Sequence, residues 1–139
     1  DNYALNSSVN YFNSSYKHTQ NSCIIALYIY DKKEFQERNL ATCKIKFIEN
    51  TLIELHFKLK SMGIPLIVDK SDREPLQVIV DLCEKYNLKA IFCNRESEPY
   101  GVRRDEKIKE AINKNGNIGF NEFAMDQCII EEGSVLGKN

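Results

Sequence analysis

The residues best suited to chemistry stand together in the run F-C-N-R-E-S-E-P-Y-G-V-R-R-D at positions 92–105. Asn94, Arg95, Glu96 and Glu98 directly follow an apolar segment, 89–93, that reads as a buried strand. Ligands of open α/β sheets bind just outside the carboxyl ends of the strands. A carboxylate at such an end accepts hydrogen bonds from a ring N–H. Pro99 fixes the chain just before a helix, and Glu98 meets that helix's positive end. The competing reading is a capped loop with surface ion pairs, and residue chemistry alone favours it.

Other chemistries find no support. The chain has no G-x-x-x-x-G-K-[ST] phosphate loop, no G-x-G-x-x-G after a strand and no G-x-S-x-G elbow. Gly116 and Gly119 make a lone G-x-x-G, which a loop between helix and strand explains. His18 lies in a polar loop and His56 beside the apolar stripe of a helix, neither with a Cys or Asp at ligand spacing. The five cysteines are widely spaced, with no C-x-x-C pair to hold zinc. They read as reduced, inert core thiols of a cytoplasmic protein. Lys44, Lys46, Lys58 and Lys60, with Glu49 and Glu54, read as the solvated face of a long helix. No catalytic residue and no metal ligand is assigned.

The elements that must position the 92–105 run alternate between helix and strand. A short helix is expected over 2–11 and a polar loop over 13–22. The unbroken apolar run 23–30 suits a strand buried on both faces of a parallel sheet. Residues 31–40 read as a charged loop. A helix over 41–62 carries Ile45, Ile48, Leu52, Leu55 and Leu59 on one face, and Gly63 and Pro65 end it. A strand over 66–68 leads to a helix capped by Ser71 or Asp72 and running to Tyr86, with Leu76, Ile79, Val80 and Cys83 inward. After the strand 89–93 comes a helix over 103–114, then a strand over 117–120 and a last apolar segment, 128–130. This order predicts an α/β doubly wound, Rossmann-like parallel sheet in one domain, 1–139.

Composition bounds the reading. The 139 residues are 42% hydrophobic and 28% charged, as in a globular domain, and the net charge of −1 opposes electrostatic binding of nucleic acid by this segment. No run of 18 apolar residues is present, so no membrane partner is expected. The chain opens on Asp1 rather than Met and is treated as a piece of something longer.

In five segments, taken in order, the chain resembles the N-terminal domain of the DNA photolyase and cryptochrome family. Asp1-Asn2-Tyr3-Ala4-Leu5 resembles the D-N-x-A-L that follows the family's first strand, and residues 24–30 resemble its second strand. Phe47-Ile48, Leu52, Leu55, Leu59 and Gly63-Ile64-Pro65-Leu66 resemble F-[IL]-x-x-x-L-x-x-L-x-x-x-L-x-x-x-G-x-P-L. Asn94 to Asp105 resembles N-x-x-x-E-P-Y-x-x-x-R-D, the most specific part, and Gly133-Ser134-Val135-Leu136 resembles the P-G-S-V-L near the domain's end. Glu131-Glu132 stand where the family often has Pro-Pro.

The resemblance implies an antenna domain that passes excitation energy to FAD in a C-terminal helical domain, which repairs pyrimidine dimers by electron donation. FAD, the carbon–carbon lyase chemistry and contact with damaged DNA belong to that second domain, which is this domain's implied partner and lies outside the chain. The alternatives are a cryptochrome-type blue-light sensor and a nonfunctional fragment. Folate-binding members tend to have Asn-Glu where this chain has Tyr100-Gly101, so the resemblance implies a deazaflavin or flavin antenna in preference to folate. The implied cofactor-binding residues are Glu96, Glu98, Asn94 and, early in the long helix, Lys44. The family's first, central strand should precede Asp1, and the fragment is therefore expected to lack it, to expose apolar strand edges and to be marginally stable alone.

Overall fold

The computed structural model of the chain describes residues 2–123. The chain folds as an α/β, Rossmann-like domain of nine described elements. In order they are α1 (Tyr3–Ser15), β1 (Ala26–Ile29), α2 (Lys32–Glu37), α3 (Thr42–Ser61), β2 (Leu66–Asp69), α4 (Pro75–Tyr86), β3 (Ala90–Asn94), α5 (Pro99–Asn115) and β4 (Gly119–Phe123). The segments 128–130 and 133–136 lie outside the described residues.

The strands form two parallel pairs. β1 pairs with β2 from Ala26 opposite Leu66 to Ile29 opposite Asp69. β3 pairs with β4 from Ala90 opposite Gly119 to Asn94 opposite Phe123. Parallel pairing requires a crossover between partners, supplied by α2 and α3 in the first pair and by α5 in the second. α4 carries the chain from one pair to the other. Among the described residues no strand joins β1 to β3.

The main core lies under one face of β3 and β4. Cys83 of α4 packs there with Ile108 and Ile112 of α5, and Leu76, Ile79, Leu88, Ile91, Ile118 and Phe120 close around them. Ile112 and Val78 are the deepest side chains, each 1% exposed. Strand residues alternate between faces. Phe92 therefore points opposite to Ile91 and meets Tyr11 of α1 at 5.4 Å and Phe123 of β4 at 6.4 Å. β3 thus separates α1 from α4 and α5.

Several elements depart from the expectations. Residues 31–40 are not a loop: Asp31 starts α2 by accepting from the Lys33 and Glu34 amides. α5 starts at Pro99, four residues before the expected start, because Pro at its first turn needs no N–H partner there. Glu74 precedes α4 without a side-chain cap bond, Pro75 opens the helix, and Ser71 and Asp72 lie outside it. β1 is half-buried rather than buried on both faces, and Leu27 is 37% exposed. Cys23 lies outside β1 and is exposed, as is Cys43; Cys83 is buried. On α3 only Leu52 and Leu59 are buried, and Leu55 of the expected stripe is exposed. The turn after α3 is as expected, with Gly63 at φ 74°, a left-handed conformation that costs glycine little.

Candidate functional site

The carboxyl ends of β1 and β3 meet the start of α5 at one rim. β1 leads through Tyr30 into Asp31, which is 6% exposed and the buried charged residue among those described. Burying a carboxylate is costly unless donors surround it. Asp31 has them: its Oδ1 accepts from the amides of Lys33 at 3.0 Å and Glu34 at 3.2 Å. Its Oδ2 accepts from the Tyr100 hydroxyl at 2.7 Å. Burial, then the hydrogen bond to Asp31 and its charge, push the Tyr100 pKa upward, so Tyr100 stays a donor.

A chain of alternating charge runs outward from this pair. Glu34 of α2 accepts from Arg38 at 2.8 Å and from Arg104 of α5 at 3.1 Å. Arg104 also reaches Asp105 at 2.8 Å, and Arg38 reaches Glu98 at 3.6 Å. Burial disfavours the Arg104 charge, but the bond to Asp105 and the charges of Asp105, Glu34 and Glu96 outweigh it and raise its pKa. The bond to Glu34, with the charges of Glu34, Glu98 and Glu96, raises the pKa of Arg38. Tyr30 and Phe35 pack edge to face at 4.7 Å beside the same strand end.

The residues expected to form a site are partly gathered here. Glu98 is the residue before α5; its side chain makes no cap bond and is 53% exposed. Glu96 is half-buried and folds against Gly101, which is buried. Asn94 stands at the end of β3, where its Oδ1 accepts from the Ala4 amide at 3.0 Å. That bond satisfies a free N–H of α1's first turn, so Asn94 ties α1 to the strand end. Lys44 is exposed in the first turn of α3, and among the described residues no hydrogen bond or ion pair joins it to Glu96 or Glu98. Arg38 is the base that stands beside Glu98.

Asp31, Glu34, Arg38 and Arg104 are not among the expected site residues. A signal for the first two is present in the sequence: an Asp followed three residues later by Glu resembles the pattern that starts a helix. The rim carries carboxylates, paired guanidiniums and an aromatic pair. These groups can accept and donate hydrogen bonds. Among the described residues no His, Cys, Asp and Glu group is arranged to hold a metal ion. A separate depression lined by Cys83, Leu88, Ile112 and Ile118 lies at the opposite, amino-terminal end of β3.

Comparison with known proteins shows the family. The family model described as DNA photolyase matches residues 1–139. A deoxyribodipyrimidine photo-lyase of Buchnera aphidicola subsp. Baizongia pistaciae is 32% identical over 116 residues, covering 82% of this chain and 24% of that protein. A protein of the same name from Synechococcus is 26% identical over 97 residues, covering 70% of this chain and 20% of that protein. One from Neurospora crassa is 24% identical over 116 residues, covering 81% and 19%. The chain therefore spans about a quarter or less of the length of the curated relatives it matches. No solved structure matches the chain significantly.

Proposed function

The chain belongs to the DNA photolyase family, and on that premise we propose that it is the antenna-chromophore domain of a light-dependent enzyme that repairs pyrimidine dimers in DNA. The observation that carries this reading is the pair of carboxylates, Glu96 and Glu98, at the carboxyl end of β3 beside Arg38. Sheet architecture puts ligands at such an end. The donor set fits a deazaflavin or flavin antenna: carboxylates accept from ring N–H groups, and guanidiniums donate to ring carbonyls. In this reading Glu96 and Glu98 bind the ring, Lys44 adds positive charge from α3, and Asn94 holds the strand end against α1. The bound antenna supplies light absorption and energy transfer; the residues orient it and fix its hydrogen bonds.

The partner is the FAD-binding domain of the same enzyme, and damaged DNA is met through that domain alone. Carbon–carbon bond cleavage would be carried out there. No described helix is long and apolar enough to cross a membrane. The cytoplasm as the location rests on the proposed family role alone.

The test is an absorption and fluorescence scan, from near ultraviolet to blue, of the protein purified from its own cells. The expected result is an antenna band beside the flavin bands that Glu96→Ala and Glu98→Ala remove. A flavin spectrum without any antenna band, or an antenna band untouched by both substitutions, would overturn the assignment.

A further inference from the structure

Gly101 lies inside α5, in its first turn, where glycine is the poorest helix former after proline. Its φ is not positive, so no left-handed conformation calls for glycine here. The remaining reason is space. A Cβ built on Gly101 would stand 2.9 Å from both Cβ and Cγ of Glu96. Carbon atoms do not pack that closely. The Cβ of Glu96 cannot swing aside as a side-chain tip would, because it moves only with the backbone of the loop between β3 and α5.

We propose that Gly101 is a positioning residue for Glu96: its missing side chain lets the Glu96 stem lie on the first turn of α5, which holds the carboxylate within the field of Arg38 and Arg104. The charge of Glu96 acts on both guanidiniums, as that seating requires. Any larger residue at 101 displaces the loop and moves the carboxylate away from the rim. The bearing on antenna binding rests on the function proposed above; the contact itself does not.

Two measurements on the protein as its own cells make it keep these apart. Helix propensity alone predicts that Gly101→Ala raises the melting temperature. The seating predicts a fall of about 3 °C or more. In a Glu96→Gly background the contact is gone, and Gly101→Ala should then raise the melting temperature or leave it unchanged. A rise in both backgrounds overturns the inference. In the absorption scan, Gly101→Ala should lose or shift the antenna band about as far as Glu96→Ala does, with no further loss in the double variant. A normal band in Gly101→Ala, where Glu96→Ala has lost it, also overturns the inference and leaves the antenna reading intact. A band indifferent to Glu96→Ala removes Glu96 from the antenna site, while the sign of the melting shifts still decides the contact.

Discussion

The hydroxyl of Tyr100 donates a 2.7 Å hydrogen bond to the carboxylate of Asp31, and this contact bridges 69 positions of sequence. It fastens the end of β1 to the first turn of α5. β1 and β3 belong to separate strand pairs. The bond therefore acts where, among the described residues, no backbone ladder joins the two strand pairs. Glu34 with Arg104, at 3.1 Å, and Glu37 with Arg103, at 3.4 Å, continue the seam between α2 and α5.

Tyr100→Phe should destabilise the protein by about 1 kcal/mol, the usual net value of one hydrogen bond, because it strips one donor from a buried carboxylate. Asp31→Ala should cost about 2–3 kcal/mol, since it also removes the cap of α2. The double variant should lose less than the sum of the two. Urea denaturation of the four proteins measures this; strict additivity would show that the two side chains do not act together.

Glu34→Gln should loosen α2 more than it lowers global stability. Glu34 is the shared acceptor of Arg38 and Arg104, and its loss leaves Arg104 with Asp105. The expected global cost is about 1 kcal/mol. Amide hydrogen exchange should quicken in Lys32–Glu37 and stay unchanged in α4. Uniform exchange along the chain would contradict the seam.

The cysteines should divide sharply by reactivity. Cys23 and Cys43 are exposed and should alkylate within minutes in the native protein. Cys83 and Cys93 should resist, because burial pushes both thiols up, Cys93 to about 11. The thiol of Cys93 starts from 9.0, so between pH 9 and about 11 the folded state keeps a proton that the unfolded state has released. Stability is then fully present below pH 9 and falls as pH rises, by up to about 1.4 kcal/mol per pH unit. Cys93→Ala should flatten that slope. Peptide mapping after alkylation and urea titrations at pH 8, 9 and 10 check both statements.

Asn94→Ala should free the start of α1. The Ala4 amide would lose its acceptor, at a cost of about 1 kcal/mol, while Asn2 still caps Leu5. Exchange should quicken at Ala4 in particular. If antenna binding by the purified protein is lost together with that protection, α1 and the site are coupled through Asn94.

The element order was legible because periodicity reports burial. Ile108, Ala111 and Ile112 mark one face of α5, and the structure buries Ile108 and Ile112. The apolar runs after Pro65 and after Leu88 likewise mark where strands fall. α2 was hidden because it buries no residue: its six positions carry no apolar stripe, and a polar cap with ion pairs holds it. The start of α5 was read four residues late although Pro99 marks it, because Gly101 in the first turn is a poor helix former.

By itself the sequence determined the α/β class, the family motifs and the carboxylate-bearing loop after β3, since these depend on residue type and local spacing. Only the tertiary structure decided that Arg38 rather than Lys44 stands beside Glu98, that Asn94 caps α1, and that Asp31 is buried against Tyr100. Each of those pairs residues far apart in the chain. Hydrogen bonds and close ion pairs act over a few ångströms, and which groups come that close is settled by how helices and strands pack.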